Sequence, residues 1–396
     1  MALATAYRTH VDTTTVRTVD GLGLIANAWM QLQCLSPDAS VFSTWQWNHA
    51  AARHFWHPED LHVTLVEDNG DPIALLPLAR RRIAGMKGLA FLGMGPFDYG
   101  RADYADALIE PGWEQQACAA FVDDLRAASC EWDVLMLQDL PSCSRLLHHL
   151  PAQARAEGWS VAQVPDNDVY YIELPGTWDE YAATLSANVR ANLPRKQRKL
   201  EREHAARFER IESPDDLDSA MEQLFDLHNH RWHEKQGSTE VETIFSREQT
   251  RDFHREVARN LLWAGMLDLT LLHADGEVVG ARYCFQYRGS KGFYASGYRK
   301  DGEWTKFSLG AVMDIQSIQA SINAGLRCED LMRNEGDYKA RYAPLRADNQ
   351  RLYIFRTRQA RLRYEAYMRL KRAAKRLCPK AILPDPSLRT MERSER

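Results

Sequence analysis

The chain has 396 residues, of which 45% are hydrophobic and 26% charged, and its net charge is −4. That length fits about two domains with packed cores, and the composition excludes a largely disordered chain and gives no overall case for nucleic acid. No apolar run approaches the roughly 20 residues that span a bilayer, and the start lacks a basic-then-apolar signal pattern, so a cytoplasmic protein is expected.

Taken from the start, Trp45, Trp47 and Trp56 fall partly at helical spacing, a core pattern more than a sugar-stacking platform. Residues 61–73 read as a β-hairpin, because Asn69-Gly70 supplies the two positive-φ residues of a type I′ turn. An acidic loop follows, with Asp98, Asp103, Asp106 and Glu110 ahead of a helix over 113–129 and a short buried strand over 132–136. The same order then recurs. Residues 267–279 align with 61–73 without a gap, turning on Asp275-Gly276, and a helix over 309–325 leads into a strand over 328–332. The repeat predicts an α/β chain (α+β, mixed sheet) of two copies of one module, with domains at 1–165 and 166–355. Helical stretches over 177–204 and 214–235 enter the second copy. The segment 356–396 is expected as a basic helix and a proline-containing tail.

The second copy holds the chemistry-bearing stretch. A strand ending at Tyr298 runs into a loop carrying Arg299, Lys300 and Lys306, then into Ser308-Leu309-Gly310 at a helix start. The first helical amides have no internal partners and the helix dipole favours anions, so a pyrophosphate fits there if small residues allow its approach. Ser308 is expected as N-cap, and Gly310 as the opening in the approach face. An ordinary capped helix is the competing reading. The acidic loop of the first copy would repel a pyrophosphate, so only the second copy is expected to hold a nucleotide-like group. Past the buried strand, Asp330, Glu335, Tyr338, Lys339, Arg341 and Tyr342 crowd a strand end of the kind that binds ligands in α/β modules, though Asp330 and Arg341 would also suit a structural ion pair.

These residues, with Phe42-Ser43, Trp45-Gln46-Trp47, the run 186–200, Arg231-Trp232, Gly237, the segment 265–269, Gly325 and Tyr338-Lys339, resemble a known family. It is the GNAT-fold acyltransferases associated with bacterial cellulose and exopolysaccharide biosynthesis, often called the CelD/BcsL type. That family is similar in turn to the Fem-type peptidyltransferases. The chain departs from the pattern at Leu309, where the family often has Pro, and at Asn334, where it often has Gly. The resemblance implies two tandem GNAT modules, with acetyl-CoA or another acyl-CoA as co-substrate and transfer to an amine or hydroxyl. It implies cofactor contacts from Tyr298, Arg299, Lys306, Ser308, Leu309 and Gly310. Tyr338 or Tyr342 would act as acid, Asp330 or Glu335 as base and Lys339 as an electrostatic clamp. Two other readings remain open: an aminoacyl-tRNA-dependent transferase of Fem type, and a non-catalytic scaffold attached to a polysaccharide machine.

His228, His230 and His233 lack the pattern of a fourth ligand, so no metal is expected. Seven scattered cysteines read as reduced thiols. The basic run Arg190, Arg195, Lys196, Arg198, Lys199 and Arg202 reads as a solvated helix that could steer an anionic partner. The stretch 356–376 carries nine Lys/Arg against Glu365 alone, which suits an anionic membrane surface or RNA.

Overall fold

The protein is described from a computed structural model covering residues 11–95, 102–236, 242–333, 339–342 and 345–377. It divides into two compact units, Met1–Asp166 with Asn349–Arg396, and Asn167–Asp348. The first unit runs β1 (Asp12–Val16), α1 (Val19–Leu24), α2 (Ala26–Leu35), α3 (Trp45–Phe55), β2 (Leu61–Asp68), β3 (Asp71–Ile83), β4 (Met86–Phe91), β5 (Leu108–Ile109), α4 (Glu114–Ala127), β6 (Val134–Pro141) and α5 (Arg145–Ala156). A long strand, β7 (Ser160–Glu173), has residues on both sides of the division. The second unit continues with α6 (Trp178–Thr184), α7 (Ala187–His204), β8 (Arg207–Arg210), α8 (Pro214–Gln236), α9 (Glu248–Trp263), β9 (Leu267–Ala274), β10 (Glu277–Tyr287), β11 (Ser290–Tyr298), α10 (Leu309–Asn323) and β12 (Cys328–Arg333). The chain then passes through β13 (Leu345–Phe355) and α11 (Arg358–Leu377).

The strands of each unit follow one and the same order. In the first unit β1, β2, β3 and β4 are successive antiparallel neighbours, β6 lies parallel to β4, and β13 closes antiparallel on β6. In the second, β8, β9, β10 and β11 are antiparallel, β12 lies parallel to β11, and β7 closes antiparallel on β12. Both repeated hairpins turn as their residues require: Asn69 and Gly70 have φ of 52° and 90°, Asp275 and Gly276 of 50° and 84°. The second unit ends at Asp348 rather than at 355, because Asn349–Phe355 of β13 pairs with β6.

The expected helix over 177–204 is two helices, α6 and α7, separated at Leu185 and restarted by the Ser186 hydroxyl, which accepts the Val189 N–H. Basic α7 is not solvated all round, for Leu200 is buried with Leu272, Trp304, Phe307 and Leu309. Helix α9 packs through Phe253, Val257 and Leu261, which recur every fourth residue and are buried. In the first unit Trp47 and Trp56 are core residues whose indole N–H groups donate to the carbonyls of Gly93 and Leu92. Among the described residues no helix is long and apolar enough to cross a membrane.

Candidate functional site

The site grows from a defect in the strand pairing of the second unit. Strand β11 pairs with β12 only over Ser290–Gly292 against Cys328–Asp330, while its other edge stays on β10 as far as Tyr298. Opposite Tyr283 and Cys284 the register shifts, leaving Tyr294 as a bulge residue. Strand β12 is distorted as well: its register on β7 shifts between Asp330 and Arg333, and Met332 has φ of 58°. The Asp330 carboxylate fixes this bend by accepting the Met332 N–H at 2.6 Å. Two parallel strands that part in this way leave a wedge in which the backbone of β11 from Phe293 onward has no strand partner on that edge among the described residues.

Lys339 lies at this wedge, 7% exposed. Its ammonium donates to the carbonyls of Leu331, at 2.5 Å, and Arg333, at 2.9 Å, both in the stretch of β12 that has left β11. The same nitrogen stands 5.8 Å from the centroid of Phe293, the first unpaired residue of β11, and the Arg282 guanidinium lies 3.9 Å from that ring. The structure thus brings Lys339 and Asp330 together as supports of the bent end of β12. The carboxylate holds an amide, and the lysine is engaged by backbone carbonyls, rather than presented as an unengaged clamp. The expected Tyr338 and Glu335 lie outside the described residues. Tyr342 is buried, and its carbonyl accepts the Tyr181 hydroxyl at 3.1 Å.

Beneath the wedge is a buried ionic network that sequence reasoning missed. Arg282 on β10 pairs with Asp314 on α10 and, at 3.4 Å, with Glu329 on β12. Glu329 also accepts the Ser317 hydroxyl, at 2.8 Å, and that of Ser321, at 2.5 Å. Lys291 on β11 stands 3.6 Å from Asp268 and donates to the Ser317 carbonyl. Burial pushes the Asp314 carboxyl up against the pull of Arg282. The available signal was Asp314, Ser317 and Ser321 recurring at helical spacing on a face shared with apolar residues of the helix.

The helix start differs from its sequence expectation. Ser308 is at the N-cap but in the left-handed region, φ 55° and ψ 54°, and its side chain makes no cap. Its hydroxyl instead accepts from the Lys196 ammonium of α7, at 2.7 Å, while its carbonyl takes the N–H groups of Ala311 and Val312. Gly310 is not an open approach, for a Cβ there would sit 2.6 to 2.8 Å from the Tyr298 ring, so the glycine lets that ring lie on the helix start. Tyr298 carries the Arg231 guanidinium 4.4 Å from its centroid. Arg299 forks onto Asp301, at 2.8 and 3.1 Å, and reaches Glu277 at 3.4 Å, so its charge is largely matched. Lys306 lies over Phe307, as does Lys199, and Leu309 is buried core. The cation at the helix start is therefore Lys196, which the sequence placed on a solvated run.

The corresponding start of α4 in the first unit is filled by the protein itself. Glu114 accepts the Gly112 N–H and the Arg145 guanidinium, each at 3.0 Å. Burial pushes this carboxyl up, but the backbone N–H groups of Glu114 and Gly112 and then Arg145 hold it below the usual range. Nearby, burial raises the carboxyl of Asp106 to about 7.

Two of the three histidines have side-chain partners. His228 accepts the Trp232 N–H at 3.1 Å and packs against Phe245, and His230 lies 4.0 Å from Asp301. Cys34, Cys118, Cys130, Cys143, Cys284 and Cys328 are free thiols.

This arrangement of strands, wedge and helix start is that of the GNAT fold. Residues 187–340 match the family model of the acetyltransferase (GNAT) domain, and the first unit repeats the same strand order. Among solved structures the chain resembles the C-terminal domain of a putative lysylphosphatidylglycerol synthetase from Agrobacterium fabrum, with 12% identity over 89% of this chain and 96% of that one, TM-score 0.54. It resembles FemX with 9% identity, covering 83% of this chain and 95% of FemX, TM-score 0.57. L-PGS from Bacillus licheniformis is similar at 12% identity, 88% and 96% coverage, and TM-score 0.51. At such identities the likeness is one of fold. No curated protein matches the chain. The protein is thus a mixed α/β chain of GNAT fold that carries a GNAT acetyltransferase domain in its second unit.

Proposed function

We propose that the second unit transfers an acetyl or longer acyl group from acyl-CoA to an amine or hydroxyl acceptor. The observation that supports this most is the wedge between β11 and β12, which opens within the matched segment and leaves a strand edge for an amide-containing donor arm. The Leu309 and Gly310 amides and Lys196 would meet its phosphates at the helix start. A neutral amine would attack the thioester carbon, a backbone N–H of the unpaired edge would hold the carbonyl oxygen, and the thiolate would leave with a proton from an acid at the wedge. Tyr338 is our candidate for that acid and Glu335 for the base, with Lys339 adding positive charge near the oxyanion. Polysaccharide or envelope biosynthesis as the setting rests on the family resemblance. In this reading Tyr298 swings off Gly310 when donor binds. Calorimetric titration with acetyl-CoA, longer acyl-CoAs and free CoA tests the proposal. Affinity for CoA should be lost in Gly310→Glu and weakened in Lys196→Glu, with the fold retained. Absence of any CoA binding by the parent chain refutes it.

A second reading, an aminoacyl-tRNA donor, is favoured by one feature. Exposed Arg195, Arg198, Lys199 and Arg202 share α7 with Lys196, which touches the helix start, so a basic face leads up to the donor end. Binding of charged tRNA with no affinity for CoA would select this reading.

A further inference from the structure

Helix α11 has a face that the described residues leave exposed. Ala360 and Tyr364 point into the first unit, where they pack with Tyr353, Phe355, Val134 and Met86. At 100° per residue the opposite face carries Leu362, Ala366, Leu370 and Ala373 in a single stripe. Leu362 is 56% exposed and Leu370 71%, unusual values for leucines two turns apart on a well-packed helix. Arg358, Arg369 and Arg376 flank the stripe on one side and Arg363 on the other, all exposed. None of these four is in an ion pair with a described residue. The helix's one acid, Glu365, is turned to the side and held by Arg361 at 2.9 Å.

We infer that this face of α11 docks the protein on an anionic lipid bilayer, with the Leu/Ala stripe entering the headgroup boundary and the arginines pairing with lipid phosphates. The leucines decide the class of partner. A nucleic-acid surface asks for cations and stacking groups and gains nothing from two exposed leucines, whereas an interfacial helix needs an apolar stripe between basic flanks. The arrangement also matches the charge: four guanidiniums face outward, the one nearby carboxylate, Glu365, is matched by Arg361, and arginine flanks favour bidentate phosphate contacts.

The test is co-sedimentation of the full chain with vesicles of phosphatidylcholine alone and of phosphatidylcholine mixed with phosphatidylglycerol. Binding is expected to the mixed vesicles only, and to weaken as salt rises. The pair Leu362→Ser with Leu370→Ser should lower partitioning by roughly tenfold or more, and Arg369→Glu with Arg376→Glu should do the same. These side chains are exposed, so the thermal unfolding of both variants should match that of the parent. No binding to the mixed vesicles overturns the inference, as does binding that the leucine variant retains in full. Retention of single-stranded RNA that survives the leucine changes but not the arginine changes assigns the face to nucleic acid and overturns it as well.

Discussion

Lys339→Met separates a supporting lysine from one that serves only the substrate. Methionine keeps most of the stem's volume, so packing against Phe293 is largely preserved. What is lost is the donor to the Leu331 and Arg333 carbonyls, in a strand end that β11 no longer supports. A buried polar group left without its partner costs about 1 to 3 kcal/mol, so two carbonyls give about 2 to 6 kcal/mol. At roughly 2 to 4 °C per kcal/mol for a unit of this size, the melting temperature should drop by at least several degrees. Urea unfolding followed by tryptophan fluorescence measures the change, since Trp178, Trp232, Trp263 and Trp304 all lie in the second unit. Because the wedge would lose its shape, the KM for the acyl donor should rise along with any fall in kcat. An unchanged urea midpoint refutes the supporting role. If turnover then falls about a hundredfold, the amine acts on the reacting carbonyl instead.

Three more outcomes follow from the geometry. Arg282→Met leaves Asp314 and Glu329 buried without their cation and should destabilise the second unit by about 3 to 5 kcal/mol in denaturant titration; a loss below about 1 kcal/mol would mean the network is not ionic. Gly297→Ala would place a Cβ inside the backbone of α8 at Leu227 and His228, so a loss of about 1 to 3 kcal/mol or more is expected, and a parental melting curve would show that α8 is free to move aside. Burial holds His254 neutral, with its pKa lowered from 6.5 to about 3. The unfolded chain takes up that proton first, so this contribution is complete above pH 6.5 and disappears as pH falls toward 3, about 5 kcal/mol in all. A His254→Leu chain should show a flatter acid limb, and an equal slope in both proteins would count against the assignment.

The sequence determined the elements that arise from neighbours along the chain. Asn69-Gly70 and Asp275-Gly276 fix two hairpins because positive φ at both turn residues is a local demand, and their recurrence revealed the repeated module. The apolar spacing of α10 and the basic run of α11 are equally local. Tertiary structure decided what depends on residues far apart. That β13 pairs with β6 could not be read from either strand, since a strand's pattern does not name its partner. The link from Arg282 to Glu329 joins residues 47 apart, and that from Lys196 to Ser308 joins residues 112 apart. Serine's preference for capping helices pointed to Ser308 as a cap, but its left-handed backbone and a lysine from another helix gave that hydroxyl a different partner. Gly310 and Lys339 likewise carry residue types suited to a phosphate approach and a catalytic clamp. Only the folded chain shows that a tyrosine ring lies on the first and two strand carbonyls hold the second, because a side chain's role is set by which partners packing brings within reach.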